Sequence, residues 1–152
     1  MVKKLTLMLT VALLACAAHV RAQSNELLDA LLEEQTTSFG QASYLILTAA
    51  GRISEEATPA EAALAVTAQG WEVPQKSADD PLTLGEYSFL LMQAFEIRGG
   101  VMYRIFPGPR YAGRELVYLR LIKGNTSPYR LFKGEEALGI LGRLLAWKAG
   151  QS

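Results

Sequence analysis

The side chains able to do acid–base or nucleophilic chemistry are few and unevenly placed. The 152-residue chain has one cysteine, Cys16, and one histidine, His19, both within the first two dozen residues. Beyond them the candidate acids are Glu55, Glu56, Asp79, Asp80, Glu86, Glu115, Glu135 and Glu136. Glycoside hydrolysis needs two carboxylates facing each other across a cleft, and local roles account for most of these acids. Glu55-Glu56 reads as a solvated turn, and Glu86 and Glu136 sit where helix capping uses a carboxylate. Asp79-Asp80 offers oxygen donors for calcium but lacks the acidic ladder of an EF-hand loop. Gly99-Gly100 has neither the spacing nor the following lysine of a phosphate-cradling loop. A chain starting after residue 22 would hold no cysteine and no histidine. That excludes a disulfide scaffold, a Cys/His zinc site, a cysteine nucleophile and a serine–histidine triad. The expectation is a non-catalytic protein without cofactor or metal, with a small envelope hydrolase as the enzymatic alternative.

The amino-terminal stretch supplies an address. Lys3 and Lys4 form a basic start, and residues 5–15 are an apolar run too short to span a bilayer comfortably. In one reading Val20-Arg21-Ala22 is a cleavage site, so that residues 1–22 are a signal peptide and Gln23 opens a single domain over 23–152. In the other, Leu13-Leu14-Ala15-Cys16 resembles a lipobox and Cys16 carries a lipid that attaches the chain to a membrane. An uncleaved membrane anchor is a third reading, disfavoured by the short apolar run. All three place the folded part in the periplasm or cell envelope, secreted and soluble or lipid-anchored in the first two. Such a product is large enough for one modest core.

A formal net charge of zero hides a strong polarity. Residues 23–96 carry twelve Asp or Glu against only Arg52 and Lys76. Residues 97–152 carry ten Lys or Arg against Glu115, Glu135 and Glu136. Either the two halves pack together and solvate separate faces, or the basic half meets an anionic partner such as phospholipid, a glycan or an acidic protein. The densest basic and aromatic stretch contains Arg98, Tyr103, Arg104, Arg110, Tyr111 and Arg114, the candidate binding surface. No nucleic-acid recognition motif appears, and the expected address argues against that partner.

Helices must position these groups. Thr83 with Glu86 has capping-box spacing, followed by Phe89, Leu90, Leu91, Met92, Ala94 and Phe95, which predicts a helix buried on most sides. Thr58-Pro59-Ala60-Glu61 predicts a second, alanine-rich helix ending at Gly70, with Trp71 closing a core edge. Leu27, Leu28, Leu31 and Leu32 mark a first apolar face, loosening over residues 33–38. Residues 39–50 read as a helix stopped by Gly51. Residues 101–106 have the composition of a short strand, although one such segment makes no sheet. After the Pro107-Gly108-Pro109 loop, residues 112–121 read as a helix with Leu116, Val117 and Leu121 inward. A last helix over 134–147 has Leu138, Ile140, Leu141, Leu144 and Leu145 on its apolar side. Arg143 and Lys148 are expected to favour its own carboxyl end.

Thr83-Leu84-Gly85-Glu86 aligns with Lys133-Gly134-Glu135-Glu136, and Leu90-Leu91 with Ile140-Leu141. Upstream of each lies a helix end and a turn, at residues 65–71 and 119–124. This helix–loop–capped-helix layout resembles the S-layer homology module, over residues 60–95 and 121–145, about half of the chain. The resemblance implies an all-α fold, here a small bundle of short helices built from two helix–loop–helix units that bury their faces mutually. It also implies anchoring to cell-wall polysaccharide or peptidoglycan, usually by three modules arranged as a pseudo-trimer. The family's helix-opening arginine would fall on Leu84 and Gly134, so the guanidinium fork for an anionic sugar is missing at both. The expected function is therefore a scaffold or docking module for another envelope protein, with a wall-glycan anchor as the alternative.

Overall fold

The computed structural model describes residue 29, residues 31–71, 73–74 and 76–151. The expected signal peptide, Cys16, Leu27 and Leu28 lie outside the described residues. The fold is all-α, a small multi-helix bundle with no strand among the described residues. Six complete helices are α1 (Phe39–Ala49), α2 (Pro59–Ala68), α3 (Leu84–Ala94), α4 (Val101–Ile105), α5 (Pro109–Tyr118) and α6 (Gly134–Ala149). A helical stretch including residues 31–33 precedes them, and its Leu31 is fully buried while Leu32 is half exposed.

Capping chemistry sets the starts. Ser38, Thr58 and Thr83 each accept a hydrogen bond from the backbone N–H three residues on, and the cap N–H groups donate in turn to the side-chain oxygens of Gln41, Glu61 and Glu86. Glycine sets two of the stops. Gly51 and Gly70 take left-handed backbone, φ 67° and 69°, just past the caps of α1 and α2.

α3 is the centre. Ten of its eleven residues are buried, leaving no solvated face. It packs most extensively on α5 and then on α1, which in turn holds α2. Tyr87 is fully buried; its hydroxyl donates to the Ala137 carbonyl of α6 at 2.8 Å, and its ring leans on Phe132. The two aliphatic helices α3 and α6 thus share one core, but they meet through side chains rather than lying along one another.

Three loops close the amino ends of these helices. Phe39 and Gly40 N–H of α1 donate to Asp80 and Ala78 carbonyls, each at 2.8 Å. Leu84 and Gly85 N–H of α3 donate to Arg130 and Pro128 carbonyls at 2.9 and 2.8 Å. Leu82 N–H donates to Thr37, and Thr37 N–H donates to Phe132, so each loop is tied to both others. Antiparallel bridges Ser38–Pro81 and Thr83–Leu131 lie at the same junction. The orphan donors of a helix start are satisfied here by a neighbouring loop as well as by the cap.

The carboxyl end of α3 is satisfied from elsewhere in the chain. Arg52 Nε donates to the Ala94 carbonyl at 3.0 Å, and Lys148 Nζ to the Phe95 carbonyl at 2.9 Å. A cation there complements the helix dipole. Arg143 Nε donates to the Leu121 carbonyl at 2.6 Å, just past the end of α5. Arg143 therefore serves another segment, which corrects the expectation for it, while Lys148 stands in the last turn of α6 as expected and also serves the end of α3.

Other boundaries differ with physical cause. Residues 101–105 are helical, not extended, since no neighbouring strand is there to accept their backbone groups. α5 begins at Pro109, whose missing N–H costs nothing at the first helical position. It ends at Tyr118 because Arg120 takes the left-handed conformation, φ 59°, that ends a helix. Leu121 is buried as expected, but beyond the helix. Leu145 is 41% exposed, so it leaves the apolar side assigned to it.

Candidate functional site

The short helix α4 and the first turns of α5 carry the candidate surface. On a 3.6-residue period, Val101, Met102, Ile105 and Phe106 fall on one arc and Tyr103 on the opposite side. Tyr103 turns inward and is buried, its ring 6.4 Å from that of Phe89 and its hydroxyl accepting from Gln93 Nε2 at 3.0 Å. Burial raises the Tyr103 hydroxyl above its ordinary pKa, with the Gln93 hydrogen bond opposing that shift. Tyr103 is thus mainly a core side chain holding α4 against α3, and it also lines the depression beside Arg98 and Arg104.

With Tyr103 facing in, the apolar arc faces out. Val101 is 68% exposed, Met102 49%, Ile105 59% and Phe106 59%. Four such neighbours on one helical arc differ from scattered single exposed residues, which carry no meaning. Sequence reasoning missed this patch because VMYRIF was read for strand composition. The discriminating signal was the i, i+4 pairing of Val101 with Ile105 and Met102 with Phe106.

Arginines flank the arc in sequence. Arg98, Arg104, Arg110 and Arg114 are all exposed. Arg98 and Arg104 line a shallow depression with Gly99 and Pro107. The Arg110 guanidinium lies 6.0 Å from the Tyr111 ring centroid, and Tyr111 stacks on Phe106 at 6.3 Å and 26°. Arg114 follows one turn beyond Arg110 on α5. The ion pairs among the described residues are Arg52–Glu96, Lys76–Glu86 and Arg130–Glu136. None of the four arginines takes part in one. The nearest acid is Glu115, whose carboxylate sits beside Gly100 at the start of α4. The expected surface residues thus fall on α4, the residues just before it and the first turns of α5, with Tyr103 mostly buried, and four exposed apolar side chains join them.

Three of the candidate acids are occupied locally. Glu86 is buried, accepts from the Thr83 N–H and hydroxyl at 2.8 Å each, and pairs with Lys76 at 3.3 Å. Asp80 accepts from the Ser77 N–H at 2.7 Å. Glu136 makes a two-point pair with Arg130, which also donates to the Asn125 carbonyl at 2.8 Å. Among the described residues no three His, Cys, Asp or Glu side chains gather as a metal-ligand group. Trp71 is partly buried against the core and lies 5.8 Å from the Arg52 guanidinium, at the edge expected for it.

One groove deserves description beside the α4 surface. Lys123, Arg130, Lys133 and Arg143 line an open hollow near the start of α6, with Glu135 and Glu136. Lys133 stands at the N-cap with no side-chain cap hydrogen bond.

Compared with known proteins, the chain matches no family model, no curated protein and no solved structure.

Proposed function

We propose that this chain is a non-catalytic, exported docking module of the cell envelope, held together as a degenerate assembly like that of S-layer homology modules. The assembly reading is supported by recurrence. Ser38, Thr83 and Lys133 precede α1, α3 and α6 with an extended cap backbone, φ −84° and ψ 157–160°, that Thr58 before α2 also has to within a degree. The donations from Gly40 and Gly85 N–H to loop carbonyls recur with the same 2.8 Å length. Ser43 and Ser88 also repeat one detail, each hydroxyl donating to the carbonyl four residues back. This suggests three related helix openings where the sequence suggested two.

The observation that carries the docking function is the α4 surface, an apolar arc flanked in sequence by arginines that have no carboxylate partner among the described residues. A face so built has no role within the bundle, so its role lies with a partner. Arg110→Glu with Arg114→Glu tests it. The expected outcome is unchanged helicity with loss of recovery from envelope extracts divided into wall sacculi, membranes and proteins. Recovery equal to wild type would contradict the reading.

A second reading, binding of an anionic wall glycan, is favoured by the groove of Lys123, Arg130, Lys133 and Arg143. Its Lys133 sits beside the position where the related helix opening would carry arginine. Sedimentation with sacculi that Lys123→Glu and Lys133→Glu abolish, while the α4 surface is intact, would favour this reading instead.

A further inference from the structure

We propose that the partner of the α4 surface is an anionic lipid bilayer, with Val101, Met102, Ile105 and Phe106 entering its interface and the flanking arginines holding phosphate headgroups. This rests on the docking reading above and names the partner it leaves open.

Size and chemistry decide between a protein and a bilayer. A stable protein interface uses about 20–30 residues a side, with charge depleted at its centre. The α4 surface offers four exposed apolar side chains on the same short stretch as exposed Arg98 and Arg104, with Phe106 stacked on Tyr111 and Tyr111 beside Arg110. A bilayer needs no large complementary surface. Apolar side chains sit at the headgroup–acyl boundary while arginines reach headgroup oxygens beside them, and each cation adds attraction to anionic lipid. Arginine suits this place because its planar fork matches phosphate.

The α4 arc is also held ready. Tyr103 pins the helix to the core through Phe89 and Gln93, which fixes the opposite arc outward before any partner arrives. Phe106 is braced by Tyr111, and Tyr111 by Arg110. Little ordering is left to occur on docking. The one acid close by, Glu115, lies at the Gly100 end, away from Ile105 and Phe106 in sequence.

The test uses the full chain and vesicles of phosphatidylcholine with or without phosphatidylglycerol. Flotation should require phosphatidylglycerol and weaken with added salt. Val101→Asp with Ile105→Asp should lower the partition at least about tenfold without changing the thermal melt, since both side chains are exposed. In Phe106→Trp, the added emission should shift to the blue and be quenched by brominated phosphatidylglycerol. Flotation of the double variant at wild-type strength would overturn the proposal, as would an unquenched signal from position 106 on a floating chain. A dimer that the double variant dissolves would also overturn it, in favour of a second copy. If no vesicle binds yet the double variant still loses envelope recovery, the lipid inference fails and docking survives. If it changes neither, both fail.

Discussion

Gly85→Ala probes the three-loop junction most sharply. Gly85 is the second residue of α3, and its N–H donates to the Pro128 carbonyl at 2.8 Å. A Cβ placed there would meet the Pro128 carbonyl oxygen at 2.9 Å, the Pro109 carbonyl oxygen at 3.0 Å and Pro128 Cβ at 3.0 Å. Two of these are backbone atoms and the third belongs to a rigid ring, so none can swing aside. Overpacking of this kind costs about 1–3 kcal/mol. Replacing glycine by alanine in a helix returns at most about 1 kcal/mol. With the full helix return subtracted, the net expectation is a loss of up to about 2 kcal/mol, or up to roughly 8 °C in melting temperature for a domain of this size. Gly142→Ala is the control. It lies inside α6 with nothing within 4 Å of its Cβ position, so it should gain about 0.5–1 kcal/mol. Gly40→Ala should resemble Gly85→Ala, because its Cβ would meet the Pro59 oxygen and the Ala78 Cβ, both at 2.9 Å. Urea unfolding followed by circular dichroism measures all three. Equal or greater stability in Gly85→Ala would refute the tight junction.

Two further outcomes follow from the tyrosines. Tyr87→Phe removes the hydroxyl that donates to Ala137 and should cost about 1 kcal/mol in urea unfolding, with the fold retained. Burial holds both Tyr87 and Tyr103 above the ordinary tyrosine value of 10.0. A raised value in the folded state means their contribution is complete below about pH 10 and is lost as pH rises beyond it. Absorbance titration should show these two ionising late, together with loss of helicity, and Tyr87→Phe should remove one of them.

Much of the bundle was legible because its signals are local. Thr83 with Glu86 and Thr58 with Glu61 write their caps into four residues, and Gly51 and Gly70 write the stops. The end of α5 was not, because Arg120 takes a conformation usually marked by glycine. The start of α5 was obscured by reading Pro109 as part of a turn. Ser38 as a third related cap was missed because Gln41 stands in place of glutamate, although a glutamine accepts the same hydrogen bond. The binding surface was half legible. Charge counting found the arginines, but the fate of Tyr103 and of the apolar arc depends on which side of α4 meets α3. The i, i+4 apolar pairs mark the arc locally, but which side turns inward is a long-range packing outcome.

Photo-crosslinking in living cells puts the most direct question to the docking account. A benzoylphenylalanine at position 106, on the apolar arc, is compared with one at position 64, where Leu64 is 70% exposed on α2 in the acidic half. The account predicts adducts at 106 that disappear with Arg110→Glu and Arg114→Glu, and none at 64. Absence of adducts at 106, or equal yields at both positions, would contradict it.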